Sequence, residues 1–265
     1  MTNLKNIIDS HFYLLSLQEK GVDVFSMLAS LKDSGMSGGI DISVYPEDIE
    51  KRVVFKDLLP GLKLSIGLGP WGTAEDRLSV DEEIKNEIIL IEKYRKYISF
   101  IGEIGLDNHH SSYGEKKVQE QLFIREIELA NLYNLPIIIH SREAVGQTAD
   151  IISSHRVEKG GIFHCFSANE YLLKKALDTG YFISFAGPLT YKNSTSLKAI
   201  LRYVPLDRLL FETDSPYLPP HPFRGTVNTP DKVVYVYQTA SEILNIDFSE
   251  LVEKVKSNFE MIAPN

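Results

Sequence analysis

Short apolar runs alternate along this chain with longer stretches in which apolar residues recur at helical spacing. The short runs are bounded by Gly or Pro and are continuously apolar, which is typical of strands that are covered on both faces. They predict strands at residues 7–9, 39–44, 62–68, 100–106, 136–140, 161–166, 181–186 and 209–213. The pattern therefore indicates a buried sheet whose strands are joined by helices.

The intervening stretches carry good helix signals. Ser79 and Glu82 form a capping box, and Val80, Ile84 and Ile88 follow at helical spacing. The same kind of spacing predicts helices over residues 118–133, 169–177 and 231–244. Because eight strands alternate with helices and no linker or low-complexity tract interrupts them, we predict a single (β/α)8 TIM-type barrel over residues 1–265. A doubly wound open sheet is the alternative, although no G-x-G-x-x-G motif or P-loop supports its nucleotide-binding forms.

Composition narrows the class of protein. The chain has 265 residues, of which 43% are hydrophobic, so one large core is feasible. It shows no leader-like segment, no apolar run near the roughly 18 residues that span a bilayer, and a single cysteine. These features favour a cytoplasmic protein that does not span a membrane, and no obligate protein partner is indicated. The net charge of −8 argues against a broad basic face for duplex DNA, so a nucleic-acid substrate would have to be held locally, for example by bound divalent cations.

Polar residues cluster where a barrel keeps its chemistry, at the carboxyl ends of the strands. The candidates are Asp9, His11, Glu103, His140, His164 and Asp214. Taken singly, each has an ordinary structural role, such as an ion pair with a lysine for Glu103 or a helix cap for Asp214. Together they favour a metal centre, because imidazole and carboxylate groups bind Zn, Mn or Mg and because burying so many polar groups without such compensation is costly.

Five segments resemble the conserved blocks of the TatD family of metal-dependent hydrolases, the TatD-type deoxyribonucleases of the amidohydrolase-like superfamily. They are "IIDSH", "FIGEIGLDNH", "QEQLFIREIELANLYNLPIIIHSREA", "GIFHCFSAN" and "LLFETDSPYLPPHPFRGTVNTP", in the family's order. The resemblance implies a centre for one or two divalent ions, Zn, Mg or Mn. It implies that His11, Glu103 and Asp214 hold the first ion and that Glu103, as a bridge, holds the second with His140 and His164.

The resemblance also implies a reaction. Asp214 and Glu103 would be the catalytic residues, with Asp214 orienting or deprotonating the attacking water. The substrate would be the end of a nucleic acid, cleaved at a phosphodiester bond in the manner of an exonuclease, or a small phosphoester. The fold and ligands fit amide or lactone hydrolysis equally well, and a barrel with reduced or lost catalysis is a further alternative.

Two positions depart from the family pattern. The first block of the family reads His-x-His, whereas Tyr13 occupies the second position here, and the third strand ends "GLGPW" instead of Gly-x-His-Pro. A phenol has an ordinary pKa near 10, so it is neutral near pH 7 and a poor metal ligand. We therefore predict a weakened first metal position and an intact second one.

Four residues are candidates for substrate binding: Arg142, Arg224, Asn228 and Tyr13. An arginine can grip a phosphate through its planar guanidinium, and a tyrosine ring can stack on a base. Arg224 has an equally plausible role in tying its loop to the barrel rim, and Arg142 in starting a helix. We also predict that Trp71 packs at the rim and that Cys165 is a packed strand residue and not a nucleophile.

Overall fold

The computed structural model describes residues 4–263 and contains one sheet of eight strands. The strands are β1 (Ile8–Phe12), β2 (Gly38–Asp41), β3 (Leu62–Ile66), β4 (Ile98–Asp107), β5 (Ile137–Arg142), β6 (Gly161–Phe163), β7 (Phe182–Phe185) and β8 (Leu209–Phe211). They are hydrogen-bonded in chain order, and each neighbouring pair is parallel.

Helices connect the strands, and two more follow the last strand. They are α1 (Leu14–Glu19), α2 (Val24–Asp33), α3 (Ile49–Arg52), α4 (Val80–Tyr94), α5 (Lys116–Tyr133), α6 (Val145–Ser154), α7 (Glu170–Asp178), α8 (Thr195–Leu201), α9 (Val233–Leu244) and α10 (Phe248–Ile262). The predicted capping box of Ser79 and Glu82 begins α4, and the side chain of Asn169 caps α7 by accepting from the amide of Leu172. Within residues 4–263, no helix is long and apolar enough to cross a membrane.

The sheet closes between its first and last strands. The amide of Asp214 donates to the carbonyl of His11 (2.9 Å), and the amide of Tyr13 donates to the carbonyl of Ser215 (2.8 Å). The carboxylate of Asp9 reinforces the closure by accepting from the amide (2.9 Å) and hydroxyl (2.6 Å) of Thr213. The fold is thus a (β/α)8 barrel, as predicted, and the open-sheet alternative is wrong.

Most strand residues are apolar because the strands lie between the barrel interior and the surrounding helices. Ile137, Ile138 and Ile139 on β5, for example, are all fully buried. A buried arginine also supports the wall: Arg52 donates to the carbonyls of Asp41 (3.0 Å) and Ser65 (2.6 Å). Through these two hydrogen bonds, the guanidinium of Arg52 links the carboxyl ends of β2 and β3.

Several strand ends differ from the prediction, and the differences fall at the site. β1 continues to Phe12, so Asp9 and His11 lie within the strand and not after it, whereas β6 stops at Phe163. The predicted continuation of β6 to residue 166 is wrong because Cys165 has a positive φ of 41° and its amide donates to Glu212 Oε1 (2.7 Å) instead of to a strand. Cys165 is therefore a half-buried residue of the following turn, contrary to the prediction that it lies in the strand.

Candidate metal centre

The carboxylate of Glu103, on β4, lies at the middle of the histidine cluster and is almost fully buried. Its Oε1 atom is 2.8 Å from His140 Nδ1 and 2.9 Å from His164 Nε2. Its Oε2 atom accepts a hydrogen bond from the Tyr13 hydroxyl and lies 3.4 Å from His11 Nε2. One carboxylate thus faces two different sets of side chains, one on each oxygen.

The side chains around Oε2 belong to residues of β1 and of the segments that follow β1 and β8, where the sheet closes. His11 on β1 is fully buried, and its Nε2 atom is 3.1 Å from the Tyr13 hydroxyl and 3.6 Å from Asp214 Oδ1. Asp214 follows β8 with a φ of 57°, a left-handed conformation that aspartate tolerates better than most residues. The rings of His11 and His164 stack with centroids 4.0 Å apart, so the two sets of side chains are in contact.

Two further carboxylates, those of Asp107 and Glu212, lie near the outer ring nitrogens of His140 and His164. Asp107 Oδ2 is 3.1 Å from His140 Nε2, and Glu212 Oε1 is 3.4 Å from His164 Nδ1. Each carboxylate faces the ring nitrogen opposite the one that points at Glu103, which is how a carboxylate fixes the orientation of a metal-binding histidine.

These two outer residues, Asp107 and Glu212, were not predicted from the sequence. Asp107 lies four positions after Glu103 at the end of β4, and Glu212 lies two positions before Asp214. The sequence did contain a signal for both residues: each is acidic, lies in or directly after an apolar strand, and is close in sequence to a predicted metal ligand.

Burial and charge set the protonation of the centre. Burial opposes ionisation of Glu103, but the facing histidines hold the pKa of its carboxyl well below the usual range. Burial raises the pKa of Tyr13 well above 10, and the negative charge of Glu103 adds to that rise, so the phenol is neutral and donates its hydrogen. Burial also raises the pKa of Asp214 to about 8, with Glu212 and Glu103 contributing against the opposing charge of His164.

The donor atoms around Oε1 fit a metal ion. His140 Nδ1 and His164 Nε2 are 3.2 Å apart and both lie within 2.9 Å of Glu103 Oε1. Metal–nitrogen bonds of about 2.0–2.1 Å in a tetrahedral site place two ligand atoms about 3.3 Å apart. His11, Glu103 and His164 also offer donor atoms that lie within 4.8 Å of one another. On the Oε2 side, the neutral phenol of Tyr13 lies beside His11 and Asp214, at the position where the family pattern has a second histidine.

The predicted substrate residues have different placements. Arg142 ends β5 with an exposed side chain, two positions after His140 and so on the same side of the strand. Arg224 is exposed, with its guanidinium carbon 4.5 Å from the centre of the Tyr191 ring. These two arginines are accessible to a ligand.

Asn228 and Tyr13 are placed differently from the arginines. The amide of Asn228 is fully buried and donates to the carbonyls of Thr213 (2.9 Å) and Tyr217 (2.7 Å), so it holds the loop after β8. Tyr13 is buried against Glu103 and its ring is not free to stack on a base.

Aromatic residues surround the mouth of the centre. Trp71 donates through Nε1 to the carbonyl of Val44 (2.7 Å), and its ring packs edge-on against those of Tyr113 and His140. This half-buried position at the rim confirms the packing role predicted for Trp71. The ring therefore forms part of the wall beside His140.

The fold and this centre together define a metal-dependent hydrolase: a (β/α)8 barrel that gathers three histidines and two carboxylates at the carboxyl ends of its strands. The chain belongs to the TatD related DNase family, whose sequence model matches residues 8–263. The resemblance noted from the sequence is thereby confirmed.

Individual relatives agree with this assignment. The uncharacterized metal-dependent hydrolase YabD of Bacillus subtilis is 37% identical over 184 residues, which are 69% of this chain and 71% of YabD. The uncharacterized metal-dependent hydrolase MG009 of Mycoplasma genitalium is 32% identical over 250 residues, 92% of each chain. The crystal structure of YjjV, a TatD homolog from Escherichia coli, is similar in fold, with a TM-score of 0.86 and 24% identity over 98% of both chains.

Proposed function

We propose that this metal-dependent hydrolase cleaves phosphodiester bonds at the ends of DNA strands. The observation that carries the proposal is the position of Glu103, whose two carboxylate oxygens face two different sets of ligand atoms. Such a bridging carboxylate is the arrangement of hydrolases that act on phosphoesters with two ions. The description of the family as TatD related DNase supports DNA as the substrate.

The residues divide between two positions. His140, His164 and Oε1 of Glu103 would hold one divalent ion, and His11, Asp214 and Oε2 of Glu103 would hold a weaker one. A divalent cation lowers the pKa of water and stabilises negative charge on a phosphoryl oxygen, as Zn, Mn and Mg all do. One ion per chain is expected in the resting protein, and a second at high metal concentration, because Tyr13 supplies no imidazole nitrogen.

The protein side chains supply the rest of the reaction. Asp214 lies beside His11 at the carboxyl end of the barrel, where a bound cation would keep its carboxylate ionised, so that it accepts the proton of the attacking water. Arg142 and Arg224, both exposed, bind phosphates of the strand through their guanidinium groups. Because the chain carries a net charge of −8, these local contacts and not a general basic surface hold the substrate.

The test is hydrolysis of DNA oligonucleotides labelled at either the 5′ or the 3′ end, with Mg, Mn or Zn added. We expect stepwise shortening from one end, abolished by chelation. Asp214→Asn should lower kcat by about 10²–10⁴-fold, the usual contribution of a general base, while Asp207→Asn, an exposed carboxylate on the far side of the barrel, should leave it unchanged.

The same preparation should be assayed on a small phosphodiester, a lactone and an amide. Hydrolysis of one of these with no action on DNA would contradict the proposed substrate and retain the hydrolase. No hydrolysis of any substrate under any metal condition would indicate a barrel that has lost catalysis.

A further inference from the structure

A cavity of about 570 Å³ opens at the amino-terminal end of the barrel, opposite the metal centre. The starts of three strands border it, through Lys63 near the beginning of β3, Ile98 at the beginning of β4 and Pro136 just before β5. We call it the basic pocket, because its described lining includes five cationic side chains and no acidic one. Those cations are Lys56, Lys63, Arg95, Lys96 and Lys159.

Three of these cations, Lys56, Arg95 and Lys96, contact uncharged groups. Lys56 Nζ donates to the carbonyl of Leu62 (2.5 Å), and Arg95 donates to the carbonyls of Ile98 and Tyr133. Lys96 Nζ lies 4.6 Å from the centre of the Tyr97 ring. Among the residues that the structure describes, none forms an ion pair with Lys56, Arg95, Lys96 or Lys159. The positive charges of these four side chains are therefore not neutralised by an acidic side chain, and they add up in the basic pocket.

This concentration is unusual for the chain as a whole, which has 36 acidic and 28 basic residues. Burial lowers the pKa of Lys63, and the neighbouring charge of Lys56 adds to that effect, as expected where like charges converge in a partly enclosed space. A multiply charged anion in the pocket would relieve this repulsion.

The positive surface continues beyond the pocket. An adjoining cavity of about 500 Å³ shares Lys63 and Ala263 with it and is also lined by Lys32 and Lys256. Glu260 is the acidic member of that second lining. An extended ligand that bears several negative charges would thus meet lysines along both cavities.

We infer that the basic pocket binds a run of phosphate groups. Lysine ammonium groups bind phosphate as point charges, and several of them are needed to hold successive phosphates. The ligand is either a small polyphosphate seated within the pocket or a nucleic-acid strand that continues toward Lys32 and Lys256. The site is independent of the proposed hydrolysis, because it lies at the other end of the barrel from Glu103.

The test uses two probes with EDTA present, so that hydrolysis does not occur: inorganic triphosphate, followed by calorimetry, and a fluorescent single-stranded DNA oligonucleotide of about 12 nucleotides, followed by anisotropy. The pocket variant is Lys56→Gln, Lys96→Gln and Lys159→Gln combined. The control variant is Lys85→Gln, Lys117→Gln and Lys174→Gln combined, which removes the same charge from exposed positions outside both cavities.

We expect the pocket variant to raise the Kd of the bound probe at least tenfold and the control to change it less than twofold. Loss of triphosphate binding alone identifies a small polyphosphate as the ligand. Loss of oligonucleotide binding identifies a strand, and the slope of log affinity against log salt should then fall by about 2, since each single-strand phosphate contact contributes about 0.7.

The inference is overturned if neither probe binds the unmodified protein, or if the pocket and control variants lose affinity equally. Since Lys56 also bonds to the backbone, its replacement could unfold the edge of β3. The double variant Lys96→Gln and Lys159→Gln avoids that contact, and a Kd unchanged in this variant would equally overturn the inference.

Discussion

The phenol of Tyr13 donates its hydrogen bond to Oε2 of Glu103. The hydroxyl is also 3.1 Å from His11 Nε2, so Tyr13 fills the space between a predicted ligand and the bridging carboxylate. This contact gives a structural reason for the departure seen in the sequence. The phenol keeps the buried carboxylate oxygen hydrogen-bonded where the family pattern has an imidazole.

Tyr13→His should therefore strengthen the first metal position. An imidazole adds a nitrogen donor beside His11 and Asp214, so metal content should rise from about one toward about two ions per chain at limiting metal. Elemental analysis after gel filtration measures the content, and turnover is measured in parallel. Tyr13→Phe is the control, because it removes the hydroxyl and adds no ligand. If the histidine variant raised neither metal content nor turnover, the idea of a weakened position would be wrong.

The outer carboxylates Asp107 and Glu212 should support metal binding without touching the ion. Asp107→Asn and Glu212→Gln remove the charge that faces His140 or His164, and each should weaken metal affinity by about 10–100-fold. Titration against a competing chelator gives the dissociation constants. Glu143→Gln is a matched control, since Glu143 bonds to the exposed His109 (2.7 Å) and to no predicted ligand. Equal losses in all three variants would argue against an orienting role.

Removing the buried guanidinium of Arg52 should destabilise the barrel. Burial raises the pKa of Asp41 to about 6, and the charge of Arg52, whose Nη1 lies 3.4 Å from Asp41 Oδ2, opposes that rise. Arg52→Met leaves this carboxyl without its cation, which typically costs about 3–5 kcal/mol. Urea unfolding measures the loss. Replacing the half-buried Arg208, whose contact with the exposed Asp207 is 3.8 Å long, by Met should change the free energy of unfolding by less than about 1 kcal/mol.

A buried carboxyl pair should make the barrel less stable at high pH. Glu87 on α4 and Glu126 on α5 are both almost fully buried, and burial raises the pKa of Glu87 to about 7 and that of Glu126 well above its usual range. The folded protein therefore binds more protons than the unfolded chain between about pH 4.3, the ordinary glutamate value, and pH 7. Stability is highest below this window and falls as the pH rises through it.

Glu87→Gln should remove much of this dependence. At pH 8 the variant should melt several degrees above the unmodified protein, since about 1 kcal/mol corresponds to about 2–4 °C in a chain of this size, and at pH 4 the two should nearly coincide. Calorimetry across pH 4–8 measures the difference. Glu242→Gln removes an exposed carboxylate on α9 and should show no such trend. A parallel pH profile for both variants would contradict the assignment to the buried pair.

Much of the centre was predictable because its residues sit on regular elements. Glu103 and His140 lie on β4 and β5, and His11 lies on β1, so the apolar runs that predict these strands also locate the three residues at the same end of the barrel. His164 and Asp214 follow short strands closely enough for the same argument. The role of Asn228 was not predictable in this way, because its burial depends on the carbonyls of Thr213 and Tyr217, which a separate turn brings to it.

The sequence by itself determined the barrel, the order of its strands and the set of histidines and carboxylates at one end. It did so because continuous apolar runs and helical spacing are local properties that each segment carries alone. Only the tertiary structure decided that Tyr13 bonds to Glu103, that Asp107 and Glu212 face His140 and His164, and that cations from several segments line the basic pocket. These contacts join residues from different strands and loops, and their geometry exists only once the barrel has closed.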